Sequence, residues 1–323
     1  MVASNNVIVV GAGVIGLSTA ICLAEAGASV RVRASAPPAE STSAVAGAII
    51  AGPVTIEPVE EAARWNRISL DEFTALADRP GTGVRLARGR MVLASGAGIP
   101  DWARALAGFA PCTPAEHAGY PVAFWLDSPI VDMPRYLDYL AGRFAAAGGE
   151  LEIRPVTALA ELAGEAPVVV NCTGLGAGRL TGDEQVKPVR GQHVIVRNPG
   201  LTEFFYEQGP GPMITNYLPH GERLVLGGTI NRGDAGMVPD AEQRDEILRR
   251  CAEVEPRLAG TEVLGVEVGL RPGRPRIRLA EEQLDGLRVI HNYGHGGVGV
   301  GMSWGCAREV AGLVLGAAVS GPA

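Results

Sequence analysis

Residues 7–34, VIVVGAGVIGLSTAICLAEAGASVRVRA, contain an apolar run, a glycine-rich turn, a helical apolar pattern and a second alternating run. The β-branched residues 7–10 predict a strand, and residues 17–26 predict a helix that ends at Gly27. The alternation over residues 29–34 predicts a second strand. We therefore expect a βαβ unit, in which two parallel strands flank a helix.

The turn of this unit carries Gly11, Gly13 and Gly16 in the spacing GxGxxG. Glycines at these positions allow a tight turn, a close approach of a pyrophosphate to the backbone, and close packing of the helix on the strand. The phosphate would lie at the helix N-terminus. The spacing predicts a dinucleotide-binding turn, and the alternative is a structural turn in an ordinary βαβ unit.

The end of the second predicted strand departs from the usual dinucleotide pattern. An acidic residue is expected there to bind the ribose hydroxyls, but the chain has Ser35, preceded by Arg31 and Arg33. Arginines at this place can bind the 2′-phosphate of NADP. The sequence therefore leaves NADP open, with a solvated strand face as the other interpretation of both arginines.

Composition excludes several classes of protein. The chain has 323 residues, of which 47% are apolar and 20% charged, so it is expected to fold as a globule. A net charge of −7 and a single lysine, Lys187, argue against nucleic-acid binding. The five cysteines form no CxxC pair, which argues against a zinc site and a disulfide framework and favours a reducing cytoplasm.

No basic residue precedes the apolar run 7–24, and three glycines interrupt it. We therefore expect neither a signal peptide nor a membrane helix.

Two later segments repeat the pattern of an apolar strand that leads into glycines. Residues 168–170 precede Gly174, and residues 289–290 precede the glycines of 294–301, after which residues 304–315 predict a closing helix. Strands from the start, middle and end of the chain would then share one parallel sheet. The predicted class is α/β, with a discontinuous Rossmann-like domain formed by residues 1–49, 135–185 and 271–323.

Residues 50–134 and 186–270 are expected to form a second, α+β domain that covers the ligand edge of the sheet and binds substrate. Within it the patterns predict helices at 59–77 and 241–254 and strands at 189–196 and 224–229.

Two further segments are suited to a bound cofactor. Ser41, Thr42 and Ser43 enter a run of small residues, which suits pyrophosphate oxygens and then packing under a flat ring; the alternative is a turn with a helix cap. The stretch 291–301, HNYGHGGVGVG, offers successive backbone N–H groups for negative charge. Its two histidines lack neighbouring acidic partners, so a structural role is expected and no metal site is predicted.

Arg271 stands in VGLRPGRPRIR, residues 268–278, where prolines favour an extended path. A guanidinium projecting here toward the cofactor edge is suited to clamp a substrate carboxylate. The alternative is an ion pair with Glu267, Glu281 or Glu282. An ion pair is the role expected for the three following arginines, Arg274, Arg276 and Arg278.

Seven stretches, taken in order, resemble the D-amino-acid oxidase family of FAD enzymes: GAGVIGLSTA, STSAVAGAI, VVVNCTGLGAG, VRGQHVIV, LGGTINRGD, VGLRPGRPRIRLAEE and VIHNYGHGGVGVGMSWGCA. The resemblance extends from residue 7 to about residue 315. The last two stretches are more specific than a dinucleotide fingerprint, and they favour FAD over NADP despite Ser35.

This resemblance and the motifs together predict the FAD-binding residues. They are Gly11, Gly13, Val14, Ile15, Gly16, Ser35, Ser41, Thr42, Ser43, Ala46, Gly47, Ala48, Val156, Cys172, Thr173, Gly174, Gly294, His295, Gly296, Gly297, Val298, Gly299, Val300 and Gly301.

The resemblance also implies the substrate contacts. Arg271 matches the arginine that binds the substrate carboxylate, Tyr217 matches a tyrosine that binds the same group, and the Gly297 carbonyl matches the acceptor for the amino group. A second tyrosine of many members aligns with Met213 or its neighbours, and none of these is tyrosine. Met213 is therefore expected in an apolar roof over the substrate.

The activity implied is oxidation of a D-amino acid by hydride transfer from Cα to flavin N5, followed by hydrolysis to a 2-oxo acid and ammonia and by reduction of O2 to hydrogen peroxide. Residues 201–221 contain no lysine or arginine but do contain Glu203 and Glu207, so neutral or basic side chains are expected over D-aspartate. A homodimer is expected from base rates.

Three other functions stay open on the sequence. A flavin amine dehydrogenase or a glycine or sarcosine oxidase would keep the fold but change the electron acceptor or the substrate. An NADP-dependent dehydrogenase would use the two arginines of the second strand. A flavin-binding module without activity is disfavoured by the presence of Arg271 and Tyr217.

Overall fold

A computed structural model of the protein describes residues 6–96 and 98–316. The helices in this part are α1 (Val14–Glu25), α2 (Val59–Ala77), α3 (Asp101–Arg104), α4 (Met133–Ala146), α5 (Gly176–Thr181), α6 (Ala241–Val254) and α7 (Gly299–Leu315). None of these helices combines the length and the apolar character that a bilayer crossing requires.

The strands in the same part of the chain are β1 (Asn6–Val10), β2 (Ser29–Ala34), β3 (Ala48–Ile49), β4 (Val84–Leu93), β5 (Ala110–Pro111), β6 (Val122–Val131), β7 (Glu150–Ile153), β8 (Val168–Asn171), β9 (Lys187–Arg197), β10 (Phe204–Gln208), β11 (Met213–His220), β12 (Arg223–Thr229), β13 (Asn231–Arg232), β14 (Val263–Leu284) and β15 (Leu287–His295).

The predicted βαβ unit is confirmed, because β1 and β2 pair in parallel and α1 connects them. β8 pairs in parallel with both β1 and β15, and β7 extends the sheet beyond β2. Strands from the start, middle and end of the chain therefore share one parallel sheet, as expected. Their carboxyl ends lie at the edge where ligands bind in such sheets.

The 22-residue strand β14 joins this parallel sheet to an antiparallel one. Its first part pairs with β9, and its later part pairs with β15. Gly273 pairs with Lys187 on one side and with His295 on the other. Both parts therefore belong to one continuous sheet, and Arg271 lies two residues before the junction.

Helix α2 packs in the core around α1, although the predicted boundaries place it in the second domain. α2 has the predicted bounds, but its Phe73 and Leu76 pack in one apolar cluster with Leu17, Trp304 and Val310. The helix therefore packs against α7 in the core around α1, and it also contacts the antiparallel strands β4 and β6. α6 does pack against the antiparallel strands, through Ile247 and Cys251. The outermost predicted boundaries, residues 1 and 323, lie outside the described residues.

Arg33 on β2 is not on a solvated face, so that interpretation is wrong. Its side chain is only 2% exposed and bonds Glu165 at 2.9 Å and Glu152 at 3.1 Å. Arg31 lies 3.8 to 4.0 Å from the same two glutamates. Two carboxylates therefore already neutralise the arginines that could have bound a 2′-phosphate.

Gly16 is the tightest point of the unit. A Cβ added there would lie 1.8 Å from the Gly11 carbonyl oxygen and 3.5 Å from the Cys172 Cβ. Gly11 itself has φ of +113°, a conformation that glycine adopts without strain. The two glycines therefore set the distance between α1 and the sheet.

Gly16→Ala is expected to lower the free energy of unfolding by about 1 to 3 kcal/mol, because the methyl group forces the strand–helix turn apart. Gly142→Ala is the matched control, since Gly142 lies in α4 with open space around its Cβ position. That control should be as stable as the wild type or more stable by up to about 1 kcal/mol. Thermal and urea unfolding measure both variants, and equal stability of the two would contradict the packing account.

Candidate active site

A cavity of about 1480 Å³ lies at the carboxyl edge of the parallel strands and extends along β14. Its volume exceeds the 300 to 1,000 Å³ that is usual for a small-molecule site, so it can hold a dinucleotide together with a second ligand. Arg271 and every predicted cofactor residue except Gly16 and Gly294 line it. The structure thus brings residues from across the chain to one cavity.

Gly16 and Gly294 shape this cavity from behind. Gly16 packs on the Gly11 carbonyl, as described above. Gly294 has φ of +88°, and the Arg274 side chain occupies the space of its missing Cβ, with the nearest atom at 2.9 Å. Both glycines therefore act through packing, and neither borders the cavity.

The N-terminus of α1 opens into the cavity beside the predicted hydroxyl cluster. Gly13 caps the helix without a side-chain bond, and the Val14 N–H donates to Ser43 Oγ at 3.0 Å. A Cβ on Gly13 would lie only 3.1 Å from that oxygen. The first turn of α1 contains no acidic residue, so the positive end of its dipole is available to a phosphate.

The hydroxyl cluster connects this helix end to the strand that carries Arg271. Thr42 Oγ1 donates to the Leu270 carbonyl at 3.2 Å, and Ser41 Oγ donates to the Pro38 carbonyl at 2.6 Å. The loop at residues 41–43 is therefore held in place by protein contacts while it lines the cavity.

Unpartnered polar atoms lie where β15 leads into α7. Burial lowers the pKa of His295 to about 4, so its imidazole is neutral at pH 7, and its Nε2 has no hydrogen-bond partner in the described part of the chain. The Asn292 Oδ1 has none there either. Both side chains line the cavity. Buried polar atoms need partners, so these two fit a cofactor rich in hydrogen-bonding groups, such as FAD.

His291 has the structural role expected of it. Its Nε2 lies 2.8 Å from Glu282 Oε2, and its Nδ1 lies 3.3 Å from the Asn171 amide. Burial lowers its pKa, with a smaller opposing effect from the Glu282 carboxylate.

The Arg271 guanidinium is fixed by main-chain oxygens. Its Nη1 donates to the Thr229 carbonyl at 2.9 Å and to the Arg190 carbonyl at 3.3 Å. The group lies over Gly191, where an added Cβ would be 2.3 Å from Nη1. Any larger residue at position 191 would displace the guanidinium.

Arg271 does not form the ion pair that was the alternative to its binding role. Each of the three glutamates considered as its partners bonds another side chain: Glu267 bonds His193 at 2.9 Å, Glu281 bonds Arg288 at 2.8 Å, and Glu282 bonds Arg278 at 2.7 Å. Burial lowers the pKa of Arg271, as expected for a cation that lacks a carboxylate partner.

The Nε and Nη2 groups of Arg271 donate to no protein acceptor within residues 6–96 and 98–316. They form the planar fork that binds carboxylates with two parallel hydrogen bonds. Removing a cation from water is costly unless an anion neutralises it, so this edge is suited to an anionic ligand.

The following arginines form ion pairs as expected, but only Arg278 pairs with one of the three glutamates considered as partners. Arg274 pairs with Asp183 at 2.9 Å, Arg276 pairs with Glu57 at 3.5 Å, and Arg278 pairs with Glu282 at 2.7 Å.

Neither Tyr217 nor Met213 lines the cavity, in contrast to the substrate contacts expected for them. Tyr217 is 3% exposed, stacks on Phe205 with ring centroids 5.7 Å apart, and places its hydroxyl 3.5 Å from Arg90. Met213 packs against the same apolar cluster. Side chains alternate along β11, so Met213 and Tyr217 pack in the core while Ile214 and Asn216 line the cavity.

The sequence reasoning missed several polar residues of the cavity, among them Tyr206, Gln208 and Asn216. Tyr206 and Gln208 are alternate residues of β10, and Tyr206 lies directly opposite Asn216 on β11. The alternation of side chains along the strand 204–208 could have predicted that Tyr206 and Gln208 share one face of β10. Glu207, between the two, points elsewhere and bonds the Thr215 N–H at 2.7 Å and Arg250 at 3.0 Å.

Comparisons with known proteins agree with this geometry. The chain is 47% identical over 313 residues to a D-amino-acid oxidase of Streptomyces coelicolor, and the match covers 96% of each chain. It is 45% identical over 316 residues to a D-amino-acid oxidase of Rubrobacter xylanophilus, covering 97% of this chain and 96% of that one.

Among solved structures, the fold is similar to that of glycine oxidase from Geobacillus kaustophilus. The TM-score is 0.77 at 20% identity, and the match covers 96% of this chain and 94% of the other. The family model described as FAD dependent oxidoreductase matches residues 6–313. The glycine-lined cavity, the open helix end and these matches lead to one conclusion: the chain belongs to the family of FAD-dependent oxidoreductases.

Proposed function

We propose that the protein oxidises D-amino acids with bound FAD and releases a 2-oxo acid, ammonia and hydrogen peroxide. The observation that carries this proposal is the half-buried Arg271, whose fork has no acceptor among the described residues and which lines the same cavity as the cofactor residues. Similarity to two D-amino-acid oxidases supports the same substrate class.

The chain supplies position, and the cofactor supplies the redox chemistry. FAD, held by the glycine turn after β1 and by the residues that follow β15, would supply the redox chemistry: removal of a hydride from the substrate Cα and transfer of two electrons to O2 to give hydrogen peroxide. The Arg271 fork holds the substrate carboxylate, and the Gly297 carbonyl accepts a hydrogen bond from the amine. Gly297 is adjacent to the arginine, since its Cβ position is 3.4 Å from Arg271 Cδ.

This arrangement needs no strong base from the protein. Once the amine is neutral, the Cα hydrogen leaves with its electron pair, and water hydrolyses the resulting imino acid. The contribution of Arg271 and Gly297 is therefore to hold the substrate in one orientation, which can lower the barrier by several kcal/mol. The homodimer and the cytoplasmic location stay predictions.

Anaerobic addition of D-alanine or L-alanine to the purified holoprotein tests the reaction. D-alanine alone is expected to bleach the flavin absorbance, and admission of air should restore it with release of peroxide. Bleaching by neither enantiomer, or by L-alanine alone, would refute the proposed substrate class.

Arg271→Met is expected to lower kcat/KM for D-alanine by about 10²-fold or more, equivalent to about 3 kcal/mol, because two charged hydrogen bonds to the carboxylate are lost. Bound flavin should be retained. Arg276→Met is the matched control, since Arg276 is exposed and pairs with Glu57. Its kinetics should equal those of the wild type, and unchanged kinetics in the Arg271 variant would remove the role assigned to this residue.

Neutral side chains are proposed for the substrate, because β10 and β11 present uncharged residues to the cavity, and Glu207 is already bonded to Arg250. We expect D-alanine, D-valine and D-methionine to have a higher kcat/KM than D-aspartate. Steady-state peroxide assays with these four substrates measure the order. A preference for D-aspartate would show that a cation binds the second carboxylate.

A further inference from the structure

Tyr206 differs from the other five tyrosines in that its hydroxyl has no hydrogen-bonding partner in the part of the chain that the structure describes. The hydroxyls of the five others all face hydrogen-bonding side chains: Tyr120 faces Thr215, Tyr136 faces Trp304, Tyr139 faces Arg143, Tyr217 faces Arg90, and Tyr293 faces Arg278. The Tyr206 hydroxyl makes no hydrogen bond to any described residue, although its side chain is partly buried. A tyrosine hydroxyl in such a place usually has a partner.

This hydroxyl group shares the cavity with Arg271. Both residues line it, and they are close enough for the arginine charge to lower the pKa of the phenol, against a larger effect of burial that raises it. Among the described residues, Arg271 is the one charged group that shifts the pKa of Tyr206. An anion held by the guanidinium would therefore have the phenol as a nearby neutral donor.

The residue opposite Tyr206 gives an independent sign of a ligand. Asn216 pairs with Tyr206 across β10 and β11, is only 8% exposed, and lines the same cavity. Its Oδ1 has no hydrogen-bond partner in the described part of the chain. Two facing polar side chains that make no hydrogen bond to another described residue indicate that this patch of the sheet contacts a polar ligand.

A carboxylate has more acceptor sites than the free edge of Arg271 uses. Its two oxygens offer about four lone-pair sites, and the Nε and Nη2 groups of the arginine use two of them. The other edge of the guanidinium is occupied by the carbonyls of Thr229 and Arg190. The carboxylate therefore has room for a third donor, which another residue of the cavity can provide.

We propose that Tyr206 is a substrate-binding residue, whose hydroxyl donates a hydrogen bond to the carboxylate held by Arg271. It performs the function that the sequence assigned to Tyr217. This inference rests on the proposed function, because it takes the anion in the cavity to be the substrate carboxylate.

Tyr206→Phe tests the proposal in the holoenzyme, with Tyr217→Phe as the matched control. Loss of one hydrogen bond to a charged group is expected to raise the KM for D-alanine, and the Kd for benzoate, by about 10-fold or more. Benzoate binding is measured from the change in flavin absorbance. Tyr217→Phe keeps its stacking on Phe205 and should match the wild type.

Two further variants distinguish a direct role of Tyr206 in substrate binding from a purely structural role. Tyr206→His restores a donor and should bind benzoate more tightly than Tyr206→Phe. In an Arg271→Met background, Tyr206→Phe should add much less than 10-fold, because both residues act on the same carboxylate.

The outcomes distinguish the two proposals. If Tyr206→Phe binds benzoate and D-alanine as the wild type does, or if its effect is fully additive with that of Arg271→Met, the role of Tyr206 is overturned while the oxidase function stands. If the wild type neither binds benzoate nor oxidises any D-amino acid, the proposed function itself fails. If Tyr206→Phe loses flavin, Tyr206→His is compared with the wild type instead. Benzoate binding by Tyr206→His that equals or exceeds that of the wild type supports the donor role of residue 206. Loss of benzoate binding by Tyr206→His with flavin retained opposes it.

Discussion

Two main-chain carbonyls hold one edge of the Arg271 guanidinium, and the rest of the site depends on this constraint. The bonds from Nη1 to Thr229 and Arg190 fix the plane of the group and use its inner donors. The Nε and Nη2 groups donate to no acceptor among the described residues, and burial makes a cation without an anionic partner unfavourable. A carboxylate bound at these groups would neutralise the cation and accept their hydrogen bonds. The same contacts would then give both affinity for the ligand and its orientation.

The long strand β14 connects this anchor to the cofactor site. It pairs with β9 on one side of the junction and with β15 on the other, so the glycine-rich turn after β15 lies next to Arg271. Thr42 adds a second connection, because it bonds the residue before the arginine while its loop lines the cavity. Cofactor and substrate positions are thus coupled through a continuous backbone.

Much of the cofactor site could be predicted from the sequence, because glycine spacing after a strand reports directly on backbone geometry. Gly11 and Gly13 behave as their spacing indicates. Side-chain direction was harder to predict: alternation along β11 places Tyr217 in the core and Asn216 at the cavity, and the sequence does not say which face of this strand meets the ligand. The ion pairs of Arg33 could not be predicted, because Glu152 and Glu165 are more than a hundred residues away along the sequence. They come close to Arg33 only in the folded protein.

A crystal structure of the holoprotein with benzoate would show whether the free edge of Arg271 binds a carboxylate. We expect the carboxylate to span Nε and Nη2 of Arg271 at hydrogen-bond distance, while Nη1 keeps its contacts with the Thr229 and Arg190 carbonyls. A carboxylate bound elsewhere in the cavity, or an Arg271 side chain rotated away to pair with a glutamate, would contradict the account.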